Sequence, residues 1–131
     1  MKRFNVYPKK GESFSLTFYR FSFDGEGFIL YDSVNEASDN GFLSFENVAA
    51  ICVADQPRPK RDDVRSFEIH LKGRNDPLNV FAHYFKTDPS RGVEFYVWST
   101  GRHELKLDDF YIATSEVVSI TPVGGLTKYV D

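Results

Sequence analysis

One order of aromatic strands and turns runs through this chain twice, and the recurrence limits what the chain can fold into. Tyr19-Arg20-Phe21-Ser22-Phe23 leads through Asp24-Gly25-Glu26-Gly27 into Phe28-Ile29-Leu30-Tyr31, and later into Phe42-Leu43-Ser44-Phe45-Glu46-Asn47-Val48-Ala49-Ala50-Ile51. Val80-Phe81-Ala82-His83-Tyr84-Phe85 leads through Thr87-Asp88-Pro89-Ser90-Arg91-Gly92 into Val93-Glu94-Phe95-Tyr96, and later into the stretch 110–120. A duplicated β unit builds a pseudo-two-fold body whose seam favours ligands and partners. The match needs a gap, because Gly27 and Gly92 stand 65 apart (92 − 27) whereas Val48 and Val117 stand 69 apart (117 − 48). Period-two patterning alone gives weak self-similarity in any β chain. Duplication is therefore an expectation, with halves at 12–54 and 78–123 joined by a loop and strand over 55–77. Under it, Val48 with Ile51 and Val117 with Ile120 occupy equivalent buried positions.

The residue types favour strands. Of 131 residues, 13 are Phe and 7 are Tyr, and such side chains fit a pleated, half-buried surface. Phe14, Leu16 and Phe18 alternate on even positions, whereas Tyr19, Phe21 and Phe23 continue on odd ones. A bulge or a corner between two sheets produces such a change of face. Gln56-Pro57-Arg58-Pro59-Lys60-Arg61 denies donors to any ladder and marks an exposed internal boundary. Asp88, Pro89 and Gly101 would suit the cap, first turn and end of a short helix, but Val93-Glu94-Phe95-Tyr96-Val97-Trp98 is dominated by strand formers and reads as a strand. The expected fold is all-β with little helix: a single domain over 1–131, a small barrel or sandwich of about eight to ten antiparallel strands.

A net charge of −3 argues against a surface devoted to neutralising phosphate. Cys52 is the only cysteine, so no internal disulfide forms, and a reducing cytoplasmic setting is expected. Met1-Lys2-Arg3 is followed by Asn5, Tyr7, Pro8, Lys9 and Lys10 rather than an apolar run, and no later stretch has the length and hydropathy of a membrane span.

Catalytic signatures are sparse. The sequence has no Gly-rich phosphate loop, paired-cysteine motif, His-Glu-x-x-His or Gly-x-Ser-x-Gly. His70 and His83, on neighbouring expected strands with Glu68 nearby, are the one arrangement suited to a transition metal, and its spacing is far less specific than a Cys/His cluster. Cys52 sits among Ala50, Ile51, Val53 and Ala54, the setting of a buried, inert thiol. The pairs Asp62-Asp63 and Asp108-Asp109 lie in turns, where Asp is common for backbone reasons, and His103 lies in another. No catalytic residue, metal ligand or cofactor is assigned, and an enzyme site at the seam is the weakest reading.

Two surface signals remain. Arg58, Lys60, Arg61, Arg65, Lys72 and Arg74 face only Asp62, Asp63 and Glu68 over 58–74, a local +3 (6 − 3) suited to nucleic acid or a phosphorylated ligand. Aromatic residues on both faces of 80–85 and 93–98 are more than a small domain easily buries unless bent strands swap faces in a closed barrel. Without that closure Phe85, Tyr96 and Trp98 are candidate anchors for a protein partner or a second copy of the chain. A non-catalytic, self-associating interaction module is the leading expectation and the anion binder its alternative.

Overall fold

Alternation along the sequence becomes antiparallel pairing in the computed structural model, which describes residues 1–32, 40–58, 63–98 and 103–123. In chain order these hold β1 (Lys2–Pro8), β2 (Phe14–Phe18), β3 (Arg20–Phe23), β4 (Gly27–Tyr31), β5 (Gly41–Ser44), the 3-10 turn η1 (Phe45–Asn47) and β6 (Val48–Val53). Then follow β7 (Arg65–Leu71), β8 (Leu78–Ala82), β9 (Tyr84–Asp88), β10 (Gly92–Trp98), β11 (Glu104–Lys106), β12 (Phe110–Ile112), the 3-10 turn η2 (Thr114–Glu116) and β13 (Val117–Pro122). The protein is all-β, and the stretch after Pro89 is strand. The thirteen strands among the described residues exceed the eight to ten expected, because corners split runs that read as single strands and β1 shows no strand pattern in the sequence. They form four antiparallel sheets, and among the described residues no ladder closes any of them into a barrel.

The chain divides into two compact units. The first, Met1–Asp55 with Asp108–Ala113, holds the sheets β12-β6-β1-β2 and β3-β4-β5. Its core is aromatic: Phe4 stacks on Phe18 with centroids 4.1 Å apart, and Phe28 lies 4.5 Å from Tyr111. The second, Gln56–Leu107 with the chain from Thr114 on, holds β13-β7-β8 and β11-β10-β9 around Phe67, Ile69, Val80 and Phe95.

The change of face at Phe18-Tyr19 is a corner. Tyr19 stands between β2 and β3, which belong to different sheets, and its N–H donates to Tyr31 O at 2.7 Å. His83 stands likewise between β8 and β9, donating to Tyr96 O at 2.9 Å. The ladders correspond pair by pair. Lys2↔Phe18 through Val6↔Phe14 in β1-β2 answers to Arg65↔Ala82 through Ile69↔Leu78 in β7-β8. Phe4↔Val53, Val6↔Ile51 and Pro8↔Val48 answer to Phe67↔Pro122, Ile69↔Ile120 and Leu71↔Val117, with the register shift at the same step in both. Backbone bonds outside the ladders agree too. Lys9 N–H to Asn47 O matches Lys72 N–H to Glu116 O, and Ala54 N–H to Arg3 O matches Val123 N–H to Ser66 O.

The matching elements open with β1 and β7, before residues 12 and 78. They differ at one place. β12, lying in sequence between β11 and β13, pairs with β6 and so covers that edge, whereas β13 is the end strand of its sheet among the described residues. Burial follows: Val48 and Ile51 are fully buried, but Val117 and Ile120 are only half-buried, so the expected equivalence holds in register and fails in cover.

Candidate interaction face

The β9-β10 hairpin forms because Asp88 organises its turn. The Asp88 carboxylate accepts the Ser90 N–H at 2.9 Å and the Ser90 hydroxyl at 2.8 Å, which holds it below the usual carboxylate range, and Gly92 takes a φ of 98° that side chains rarely adopt. The register then sets Tyr96 opposite Tyr84 on β9 and opposite Lys106 on β11, Glu94 opposite Lys86, and Trp98 opposite Glu104. Alternation puts these side chains on one face.

The three rings form a continuous cluster. Tyr84 and Tyr96 stack with centroids 5.2 Å apart and planes 10° from parallel, and Tyr84 lies 5.3 Å from Trp98. The Lys86 ammonium sits 4.7 Å from the Tyr96 centroid and 3.3 Å from Glu104, while Lys106 lies 3.9 Å from Glu94. Each phenol donates to a carboxylate, Tyr84 to Glu104 and Tyr96 to Glu94. Partial burial and the Glu104 bond push Tyr84 up to about 12, and the Glu94 bond followed by burial does the same for Tyr96. The bond from Tyr84 outweighs burial and holds Glu104 below its usual range. His83 fixes the margin of this face: its buried ring accepts the Trp98 N–H on Nδ1 at 2.9 Å, so Nε2 carries the proton donated to Asp63 at 2.7 Å.

Of the three expected anchors, Tyr96 and Trp98 therefore come together and are joined by Tyr84. Phe85 lies on the other side of β9, half-buried against Phe67 at 5.5 Å and Phe95 at 6.1 Å. Tyr84 was legible through hairpin pairing, since a turn centred on Ser90 sets residue 84 against 96. The matching face of the first unit pairs Arg20 with Tyr31, the guanidinium 4.1 Å from the ring centroid.

The other candidates are dispersed. Arg58 lies over Phe81 at 5.6 Å, Arg65 begins β7, and Lys72 and Arg74 follow its far end, roughly 20 Å away at about 3.3 Å per residue. Lys60 and Arg61 lie outside the described residues. His70, 3.9 Å from Glu68, sits near the end of β7 remote from His83, so the two imidazoles do not meet. No group of three potential metal ligands occurs among the described residues. Cys52 is buried and its thiol is pushed up to about 12, which removes the thiolate that nucleophilic chemistry requires. Among the described residues no helix is long and apolar enough to cross a membrane. Comparison with protein-family models, curated proteins and solved structures found no match.

Proposed function

We propose that the protein is a non-catalytic interaction module that self-associates through the outer face of β11-β10-β9. The observation that carries this reading is the Tyr84–Tyr96–Trp98 cluster, held in place by carboxylates, ammonium groups and His83 while Trp98 remains 37% exposed. Rings already ordered before contact lose little side-chain entropy on binding, and Tyr and Trp dominate the energetics of most interfaces. The rim is self-complementary. Lys86 and Lys106 balance Glu94 and Glu104, so a two-fold pairing can set each cation against a partner carboxylate, whereas a phosphate backbone meets no net field there.

The register correspondence supports a second part of this proposal, that the chain is a tandem duplication of one β unit, each copy a partly open sandwich bent at its corner residue. Sedimentation equilibrium over a concentration series tests the self-association. Wild-type chain should shift towards dimer with a blue shift in Trp98 emission, and the double variant Tyr96→Ser/Trp98→Ser should stay monomeric. A wild-type chain monomeric at its highest soluble concentration overturns the proposal.

A further inference from the structure

The strand β12 shows what the β6 edge accepts. Phe110, Tyr111 and Ile112 lie antiparallel to Cys52, Ile51 and Ala50, Val53 N–H donates to Asp109 O at 3.0 Å, and Ala113 N–H donates to Ala49 O at 2.8 Å. These bonds show that odd-numbered residues of β6 turn their backbone groups outward. The Asp109 carboxylate also binds the Lys2 ammonium at 3.0 Å across the end of β6.

In the second unit, β13 takes the place of β6 and Arg65 the place of Lys2, by the ladder correspondence. Val123 N–H points inward to Ser66 O, so by alternation Ile120 and Val118 turn theirs outward. No strand pairs with that edge among the described residues. Ile120 is half-buried where Ile51 is fully buried, Val118 is 67% exposed, and Arg65 is exposed with no ion pair among the described residues.

We infer that the outer edge of β13 is a docking site for an extended peptide segment of a partner protein, one with an acidic residue followed by aromatic and β-branched side chains in the manner of Asp109-Phe110-Tyr111-Ile112. The segment adds antiparallel as a fourth strand beside Ile120 and Val118, and its carboxylate meets Arg65. Strand addition supplies main-chain hydrogen bonds, and the charge fixes direction and register. Pro122, in the position of Val53, has no N–H to offer, so the ladder stops at Ile120 and the contact is shorter than that of β12.

The test adds a synthetic peptide with the sequence of residues 107–114 to the isotopically labelled full chain and follows backbone amides by NMR and hydrogen exchange. Saturable shifts and slowed exchange at Ile120 and Val118 are expected. Arg65→Glu should weaken binding about fivefold or more at low salt, and a peptide with Lys in place of Asp109 should recover that loss on the variant. Shifts confined to Ala49, Ile51 and Val53 would mean exchange with β12 and overturn the inference. So would an Ile120 amide already protected before peptide is added, shifts at Ile120 and Val118 that grow with protein concentration alone, or no saturable binding.

Discussion

Ile51→Ala should cost several times more than Ile120→Ala, although the two residues stand at matching register positions opposite Val6 and Ile69. Ile51 is 0% exposed within a cluster of Phe4, Phe18, Phe28 and Tyr111, with β12 closing its strand edge. Truncation removes three carbons from a closed site, about 2.4 kcal/mol at roughly 0.8 per buried group. A residual void of about 60 Å³ adds roughly 1.4 kcal/mol at about 24 cal/mol per Å³, for a total near 4 kcal/mol. Ile120 is only half-buried, so about half the transfer term applies, and water enters from the open side instead of leaving a void. Its truncation should cost about 1 kcal/mol. Urea unfolding would measure both, followed by far-ultraviolet circular dichroism and by Trp98 fluorescence, which reports the unit that contains β10. Losses equal within about 1 kcal/mol, at unchanged denaturant dependence, would refute the argument that β13 lacks the cover β12 gives to β6.

Three further expectations follow from local geometry. A Cβ on Gly27 would stand 2.3 Å from Leu43 O and 2.5 Å from the Phe42 ring, so Gly27→Ala should cost about 2 kcal/mol or more by forcing β4 and β5 apart, and an unchanged urea midpoint would sink this account. Tyr84, Tyr96 and Tyr111 are each raised from 10.0 to about 12, so the stability they lend is complete below pH 10 and lost as pH rises through about 12; Glu104→Gln should let the phenolate absorbance of Tyr84 appear at lower pH, and an identical titration curve would count against the Glu104 contact. Cys52 should resist a thiol reagent in mildly alkaline buffer and react at once in urea, whereas fast labelling of the folded chain would contradict its burial.

Sequence carried the strand content because Phe, Tyr and β-branched residues are dense along the chain and alternate clearly in strands such as β2 and β7, and it carried the corner at Tyr19 because the alternation changes phase there. It did not reveal β1. Phe4 and Val6 are its only fully buried side chains, and their charged neighbours hide so short an alternation. Nor did it separate Phe85 from Tyr96, because both belong to runs with rings on each face, and only the hairpin register decides which side of β9 faces the core. The described basic residues of 58–74, Arg58, Arg65, Lys72 and Arg74, cluster in sequence but lie towards opposite ends of an extended strand. The extension of β7 turns a local charge surplus into two separate ends.

Register explains how the two units come to differ at one edge despite matching ladders. After Leu107, whose N–H donates to Phe95 O at 2.9 Å, the chain either continues along β10 or leaves it. Continuing, as β5 does along β4 from Gly41 to Ser44, would gain a few backbone bonds worth about 1 kcal/mol each. Leaving buries Phe110, Tyr111 and Ile112, at 9%, 8% and 0% exposure, and large apolar side chains contribute roughly 1.5–3 kcal/mol apiece when fully buried. The new pairing with β6 also replaces the bonds forgone on β10, so the two routes are nearly balanced in hydrogen bonds and apolar burial decides between them. Hence β12 stays with the first unit, Asp109 is anchored there by Lys2, and β13 keeps an edge with no paired strand among the described residues.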